Sequence, residues 1–317
     1  VTGYLLRRAG QAIIVVLIVS AIVFVLLRLL PGGPARAILG PSATAEQVLE
    51  FNREQGFDQP IVIHYLSWAG GLLRGDFGYS YRLNQDVLAL IGERLPKTLS
   101  LTVLSTLVGL LITVPLGTLQ AVRRNKPVDY LLTGVVFVVY AMPVFLLGML
   151  LIIVFSQTLD LVPPQAPQGS TLGEIFAQSD GLILPVATLA LLTVAAFSRY
   201  ARSATLDNLG EDYVRTARAK GALSRRVIGR HVLPNALRPV VTLLGLYVPF
   251  LFGGSLITEA TFNYPGMGLL FWEAAQNRDY PILLGIVLVI AAATAIGSLL
   301  ADLAYALLDP RVRYAGA

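Results

Sequence analysis

The 317-residue chain is 55% hydrophobic and only 14% charged, with a mean hydropathy of +0.70. Soluble domains carry about 25% charged residues, so a water-facing shell cannot be built from this composition and most of the surface must meet lipid. The net charge of +5 does not mark a nucleic-acid binder, because the charges gather at the ends of apolar runs, and the absence of cysteine excludes disulfides and thiolate metal sites.

Six stretches free of Asp, Glu, Lys and Arg organise the chain: 9–27, 98–122, 130–159, 181–198, 239–258 and 280–301. A helix needs roughly 20 apolar residues to cross the hydrocarbon core at about 1.5 Å per residue. The expectation is an all-α membrane protein with six transmembrane helices. The alternating segments of a β-barrel do not occur. The first run follows Arg7 and Arg8 and exceeds a signal-peptide core of about 7–15 residues, so it reads as a retained helix. A Pro/Gly cluster (Pro31, Gly32, Gly33, Pro34) then opens a long segment, 31–97. Its middle, from Ala45 to Tyr81, mixes charges with Ile61, Tyr65, Leu66, Trp68, Leu72 and Leu73, which predicts short amphipathic helices on the membrane face. The segment 160–180, rich in Pro, Gln and Ser, predicts an irregular loop, and 259–279 a turn at Pro265-Gly266.

Orientation follows the basic residues. With the N-terminus inside, the cytoplasmic segments hold Arg7 and Arg8; Arg123, Arg124 and Lys126; nine residues from Arg199 to Arg238; and Arg311 and Arg313. That is 16 of the 24 Lys and Arg, on the shorter total length, so both termini are expected in the cytoplasm. The domain reading is 1–30 for the N-terminus and first helix, 31–97 for an extracellular segment, and 98–317 for a core whose loop 199–238 is cytoplasmic.

That loop carries the chemistry. Glu211 and Asp212 open a helical stretch that Arg215, Arg218 and Lys220 close, as the helix dipole favours. Gly221 suits a left-handed cap, Ser224 can cap a second helix, and Pro234 is expected to end or kink it. A short helical pair too polar to cross the membrane is a docking element for a soluble partner. Within the spans, Pro115, Pro143, Pro185 and Pro249 predict breaks, and Gly253-Gly254 follows the last of them. Such breaks are tolerated where neighbours or cavity water satisfy the freed backbone groups. Pro143 and the fifth span, with Tyr247, Pro249, Gly253, Gly254, Ser255 and Thr258, are the candidate pore lining. Asp302 lies near the end of an apolar stretch and reads as structural, and His64 and His231 fall on opposite sides, so no metal ligand set is visible.

Ala217, three residues, Gly221, nine residues and then His231-Val232-Leu233-Pro234 resembles the loop of permeases in bacterial ATP-binding-cassette importers. The superfamily pattern is Glu-Ala-Ala, three residues, Gly, nine residues, Ile, any residue, Leu-Pro. Arg215, Thr216 and His231 depart from it in the manner of the dipeptide, oligopeptide and nickel permease branch. The string Asp212-Tyr213-Val214-Arg215-Thr216-Ala217-Arg218-Ala219-Lys220-Gly221 is similar to that branch. So are Gly75-Asp76-Phe77-Gly78-Tyr79-Ser80, Phe262 to Gly268, Arg278-Asp279-Tyr280-Pro281 and Asp309-Pro310-Arg311-Val312-Arg313. The long first outer segment fits the B-type subunit, although Gly33 stands where that type often has Asp.

The resemblance implies the type I ABC importer permease fold in the bacterial cytoplasmic membrane. It implies a second, C-type permease, two ABC ATPase subunits and an extracytoplasmic substrate-binding protein as partners. Asp212, Tyr213, Arg215, Thr216, Ala217, Arg218, Gly221, Leu233 and Pro234 are then the residues expected to couple to the ATPases. The chain has no phosphate-binding G-x-x-x-x-G-K-[ST] loop, so ATP and magnesium are expected in the partners and no cofactor or catalytic residue here. Di- or oligopeptides are the expected cargo, with nickel chelate, glutathione or haem as alternatives. An ion-coupled secondary transporter is the rival class, but it would show charged coupling sites near the midplane of the spans. A membrane enzyme would need a nucleophile, base or metal cluster, and a channel a filter loop or ring of charge.

Overall fold

A computed structural model describes residues 2–29, 35–36, 39–40 and 42–308. The Pro31–Pro34 cluster with Gly33, the tail Asp309–Arg313 and the side chain of Asp302 lie outside the described residues. Among the described residues the regular structure is helical apart from one two-stranded ladder, and the chain divides into two compact units.

The first unit comprises Val1–Thr98 and Pro265–Leu299. Helix α1 (Thr2–Arg28) carries the first apolar run. Two short helices follow, α2 (Ala45–Glu54), which is amphipathic as the patterning predicts, and α3 (Ile61–Leu72), which is mainly apolar. Thr44 caps α2 in a complete capping box: Gln47 N donates to Thr44 Oγ1, and Thr44 N to Gln47 Oε1. One face of α3 meets α1, where Phe24 packs within 5.5 Å of the rings of Tyr65 and Trp68, and Tyr65 bonds Ser20 at 2.8 Å.

Strands β1 (Tyr79–Ser80) and β2 (Gln85–Asp86) form an antiparallel hairpin that leads into α4 (Val87–Val122). In the same unit, α12 (Met267–Asn277) ends on Arg278 in the left-handed region, and α13 (Tyr280–Leu308) starts immediately after. Buried Asp279 accepts a hydrogen bond from Ser80 Oγ, joining two sequence motifs almost 200 residues apart. A Cβ on Gly78, at φ +87°, would lie 3.5 Å from Pro281. The N–H of Met267 donates to buried Thr98 Oγ1 at 2.8 Å. Val87, Leu90, Ile91, Leu270, Ile282 and Ile286 form the apolar core beneath these contacts.

The second unit comprises Leu99–Tyr264 and Leu300–Ala317. Besides the rest of α4 it contains α5 (Pro127–Ala141), α6 (Val144–Leu151) with a π-helical extension over Ile152–Thr158, α7 (Leu172–Ala177), a 3-10 turn over Ser179–Leu182 and α8 (Ile183–Leu209). It continues with α9 (Asp212–Ala219), α10 (Ser224–Val227), a π-helical turn over Ile228–Val232 and α11 (Leu233–Phe262). Small residues bring α4 against α8: a Cβ on Gly109 would lie 2.6 Å from Thr193 Cβ, and one on Gly117 2.7 Å from Ala201 Cβ. Helix α11 ends on left-handed Asn263, with the Tyr264 N–H donating to the Glu259 carbonyl at 2.8 Å. Burial pushes the Tyr264 phenol up to about 12, so it stays neutral.

Each of the six apolar runs is mostly helical, and the structure departs from the expectations in three details. The third run is not one straight helix. It bends by 112° between α5 and the α6 segment. Pro143 lacks an N–H and drives Met142 out of the helical region, to φ −82° and ψ 132°. By contrast Pro115, Pro185 and Pro249 stand in unbroken helices. Pro185 falls in the first turn of α8, where N–H groups have no intrahelical partner in any case. The segment 160–180 is not wholly irregular. Helix α7 is capped by Thr171, buries Ile175, and has Ser170 N bonded to Glu174 Oε2 at 2.8 Å. Among the described residues, three helices are long and apolar enough to cross a bilayer, and the bent pair makes a fourth if taken as one span.

Candidate coupling site and cavities

Helix α9 is amphipathic, and its inward face is short. Val214 is fully buried, and with Val227, Val232 and Ala236 it forms a small core to which Tyr213, Ala217 and Ala222 add partly buried surface. Tyr213 is fixed further by donating to Asn208 Oδ1 at 2.6 Å. The outward face presents Arg215, Thr216, Arg218 and Lys220. Arg215 Nη1 approaches Asp212 Oδ1 at 3.3 Å, and Thr216 Oγ1 donates to the Asp212 carbonyl at 3.0 Å. Both members of that ion pair are well exposed, so it orients Arg215 more than it stabilises the helix.

The end of α9 is a Schellman motif. Ala222 N donates to Ala217 O at 3.1 Å and Gly221 N to Arg218 O at 2.9 Å, with Gly221 at φ +79°. Glycine is required there because the left-handed region is strained for other residues. A Cβ at Gly221 would meet nothing within 4 Å, so crowding inside the chain is not the reason for its small size. Leu223, 79% exposed, projects from the turn that follows. A shallow groove of about 670 Å³ runs beside the motif, lined by Tyr213, Thr216, Lys220, Gly221, Arg230 and His231 among others.

One local expectation fails and a second is met only in part. Ser224 is the first residue of α10, and Leu223 occupies the capping position without a side-chain bond. Pro234 does not end the second helix. The backbone passes through a π-helical turn at Ile228–Val232 and continues as α11, with Pro234 in its first turn. Widening the helix just before a proline relieves the clash between the ring and the preceding turn. Leu233 and Pro234 therefore join the α9–α10 segment to a long helix.

The candidate pore residues separate. Pro143 and Tyr247 line one cavity of about 570 Å³, together with Tyr140, Phe197, Arg199 and Leu243. Ser255 and Thr258 are buried, so their face of α11 is turned to protein and not to open space. The surroundings of Pro249, Gly253 and Gly254 lie outside the described residues.

Three features escaped sequence reasoning. Asp129, in the first turn of α5, is buried and receives a bidentate bond from Arg202 on α8: Nε to Oδ1 at 2.9 Å and Nη2 to Oδ2 at 2.7 Å. Arg202 had read only as one of the basic residues of the loop. Glu259 had been placed in an outer loop, yet it is fully buried in α11. The guanidinium of Arg199 lies 4.8 Å from the Tyr140 ring centroid and 5.6 Å from that of Tyr200. The pairing of Asp129 with Arg202 could have been suspected from one unpaired acid among bases at the ends of spans. The other two had no signal in spacing.

Residues 113–314 match the family described as binding-protein-dependent transport system inner membrane component, and residues 1–102 match its N-terminal companion. The chain belongs to this family. The permease is 38% identical to the oligopeptide transport system permease protein AppB of Bacillus subtilis, over 98% of this chain and 99% of that one. It is 39% identical to the probable peptide ABC transporter permease protein y4tP of Sinorhizobium fredii, with 98% and 99% covered. It is 38% identical to the glutathione transport system permease protein GsiC of Escherichia coli K12, again over 98% and 99%. In fold, the permease is similar to a chain of the inward-facing MetNI methionine ABC transporter, with a TM-score of 0.53 and 17% identity, over 70% of this chain and 97% of that one.

Proposed function

We propose that this permease forms one half of the translocation pore of an ATP-driven importer of di- or oligopeptides in the bacterial cytoplasmic membrane. Six spans with both termini in the cytoplasm place the α9 elbow inside. A C-type permease completes the pore, an external binding protein delivers cargo, and two ATPase subunits dock beneath, one on each permease. Asp212, Tyr213, Arg215, Thr216, Ala217, Arg218 and Gly221 make the contact, and Leu233 and Pro234 relay it into α11.

The observation that carries this reading is the form of the elbow. A two-turn helix exposes a basic face, stops on a left-handed glycine and rests on its own small core, in a chain without a phosphate-binding loop. A projecting rigid element of this kind transmits force to a helix bundle, while nucleotide chemistry happens elsewhere. The switching energy is then the difference in ATP affinity of the partners between two bundle states. Relatives named as peptide and glutathione permeases support a peptide cargo. The test is reconstitution with and without the ATPase subunits. Vesicles should accumulate peptide only with the complete complex, binding protein and ATP. Uptake by this chain alone without nucleotide would refute the proposal.

A further inference from the structure

The elbow carries more charge than its first helix accounts for. From Tyr213 to His231 the chain holds Arg215, Arg218, Lys220, Arg225, Arg226 and Arg230, and no Asp or Glu. All six bases are exposed, and among the described residues only Arg215 has an ion pair, with Asp212. The positive-inside bias places bases in a cytoplasmic loop but does not arrange them. Here they are arranged. Gly221 turns the chain back so that α10 shares one small core with α9 through Val214 and Val227. Lys220 at the end of α9, Arg226 on α10 and Arg230 in the π-helical turn thereby converge on the groove of about 670 Å³, and no carboxylate lines it.

The apolar groups of the elbow decide what kind of surface fits it. A helix that lies on lipid turns an apolar face outward. Helix α9 does the reverse, with Val214 buried and Ala217 packed on the inner core. Leu223 is the exception: it is 79% exposed and stands between Lys220 and Arg226 in sequence. A single projecting leucine among charges, beside a concave groove, is the pattern of a protein contact with an apolar anchor and a charged rim. A partner covering the groove without counter-charges would take water from Lys220, Arg226 and Arg230 and leave them unpaired, which opposes association. The partner must therefore bring carboxylates.

We infer that the surface docking on this elbow is acidic. A carboxylate-bearing segment of the partner ATPase lies in the groove on Lys220, Arg226 and Arg230, and an apolar pocket beside that segment takes Leu223. The inference rests on the importer reading and deepens it. It adds Lys220, Leu223, Arg226 and Arg230 to the contact and states the charge of the opposite face. The charges set the rate and register of encounter, and the leucine slows release.

The test uses both permeases together in phosphatidylcholine nanodiscs and the separate ATPase subunits. Association and dissociation are followed by biolayer interferometry from about 0.1 M to about 1 M NaCl, over which the screening length falls from roughly 10 to 3 Å. The association rate should fall at least tenfold across that range. Arg226→Glu/Arg230→Glu should lower it at least tenfold at low salt and remove most of the salt dependence, whereas Leu223→Ser should act mainly on dissociation, raising it at least fivefold. With p-benzoylphenylalanine in place of Leu223, photo-crosslinking should join the elbow to an Asp- or Glu-rich segment of the ATPase, and lysines placed in that segment should restore binding of the Arg226→Glu/Arg230→Glu variant. Salt dependence of the unmodified complex and the crosslink keep the test decisive if that variant misfolds. Binding indifferent to salt, or a crosslink to a segment without acids, overturns the inference. Crosslinking to lipid instead of ATPase in phosphatidylglycerol nanodiscs assigns the bases to the membrane and also overturns it. Peptide uptake is measured in parallel. ATP-driven uptake with salt-indifferent docking sinks the acidic surface and leaves the importer reading standing, whereas no ATPase binding and no uptake by the unmodified complex sinks both.

Discussion

Gly221 offers a way to separate two roles that coincide in one residue. Its φ of +79° closes α9, and an added Cβ would meet nothing within 4 Å. In the isolated chain, replacement therefore costs only backbone strain. For Ala or Leu this is roughly 1–2 kcal/mol, and for Asn less, since its side chain tolerates the left-handed region. A cost of that size frays one cap and leaves membrane insertion untouched. If Gly221 is only a cap, function should follow backbone tolerance: Asn close to wild type, Ala and Leu equally impaired. If a partner ATPase closes over the turn, function should follow bulk, with losses growing from Ala through Asn to Leu. The assay is ATP hydrolysis by the reconstituted complex, stimulated by loaded binding protein. Docking predicts that Gly221→Asn loses more stimulation than Gly221→Ala, and that Gly221→Leu loses it entirely while still inserting and co-purifying with the second permease. Full stimulation in Gly221→Leu would refute the docking argument.

Other substitutions test the packing that holds the elbow and cavities in place. Gly117→Ala puts a methyl 2.7 Å from Ala201 Cβ and should destabilise the protein by about 1–3 kcal/mol, with Gly117→Ala/Ala201→Gly recovering part of the loss in thermal unfolding. Asp129→Asn leaves Arg202 without its counter-charge. Losing one partner of a fully buried pair costs about 3–5 kcal/mol, and the 29% exposure of Arg202 reduces the expectation to about 2. The double variant Asp129→Leu/Arg202→Leu should regain most of it. Thr98→Val removes the acceptor of the buried Met267 N–H, worth about 1–3 kcal/mol. Faster hydrogen exchange at Met267 should report that loss, and Thr98→Ser should not show it.

The helices were legible because lipid leaves little choice: an apolar run of about 20 residues must satisfy its backbone internally. The glycine cap was legible because acids, bases and Gly221 fall at the positions that a helix dipole and a left-handed turn demand. What was illegible depended on neighbours distant in sequence. Only Pro143 of the four span prolines breaks its helix, and proline chemistry alone is identical at all four positions. Pro234 is expected to end or kink its helix, and the π-helical turn that precedes it instead leaves no compositional mark. Ser255 and Thr258 are candidate pathway residues because small polar groups in a span suit a pore and a packed interface equally, and in this chain both are buried. The Asp129–Arg202 pair spans 73 residues, so positive-inside counting registered the arginine and missed its partner.

That pair bears on how the elbow can work. Helix α8 runs without interruption from Ile183 to Leu209, and Asp212 begins α9 three residues later. Arg199 and Arg202 therefore share one helix with the base of the elbow, within about 15 Å of its end by the helical rise. Through Asp129 the same helix holds the start of α5, whose far end is the bend at Met142–Pro143. If partner ATPases push on α9, the push reaches α5 through a paired, largely buried contact that yields only by breaking two charge-assisted bonds. Coupling through this route requires the pair to remain intact as α8 moves. A cysteine pair that locks α5 to α8 near Asp129 should then leave ATP-driven transport largely unimpaired, whereas a crosslink that holds α9 against the base of α8 should abolish it. Loss of transport in the first and retention in the second would reverse the assignment of which joint moves.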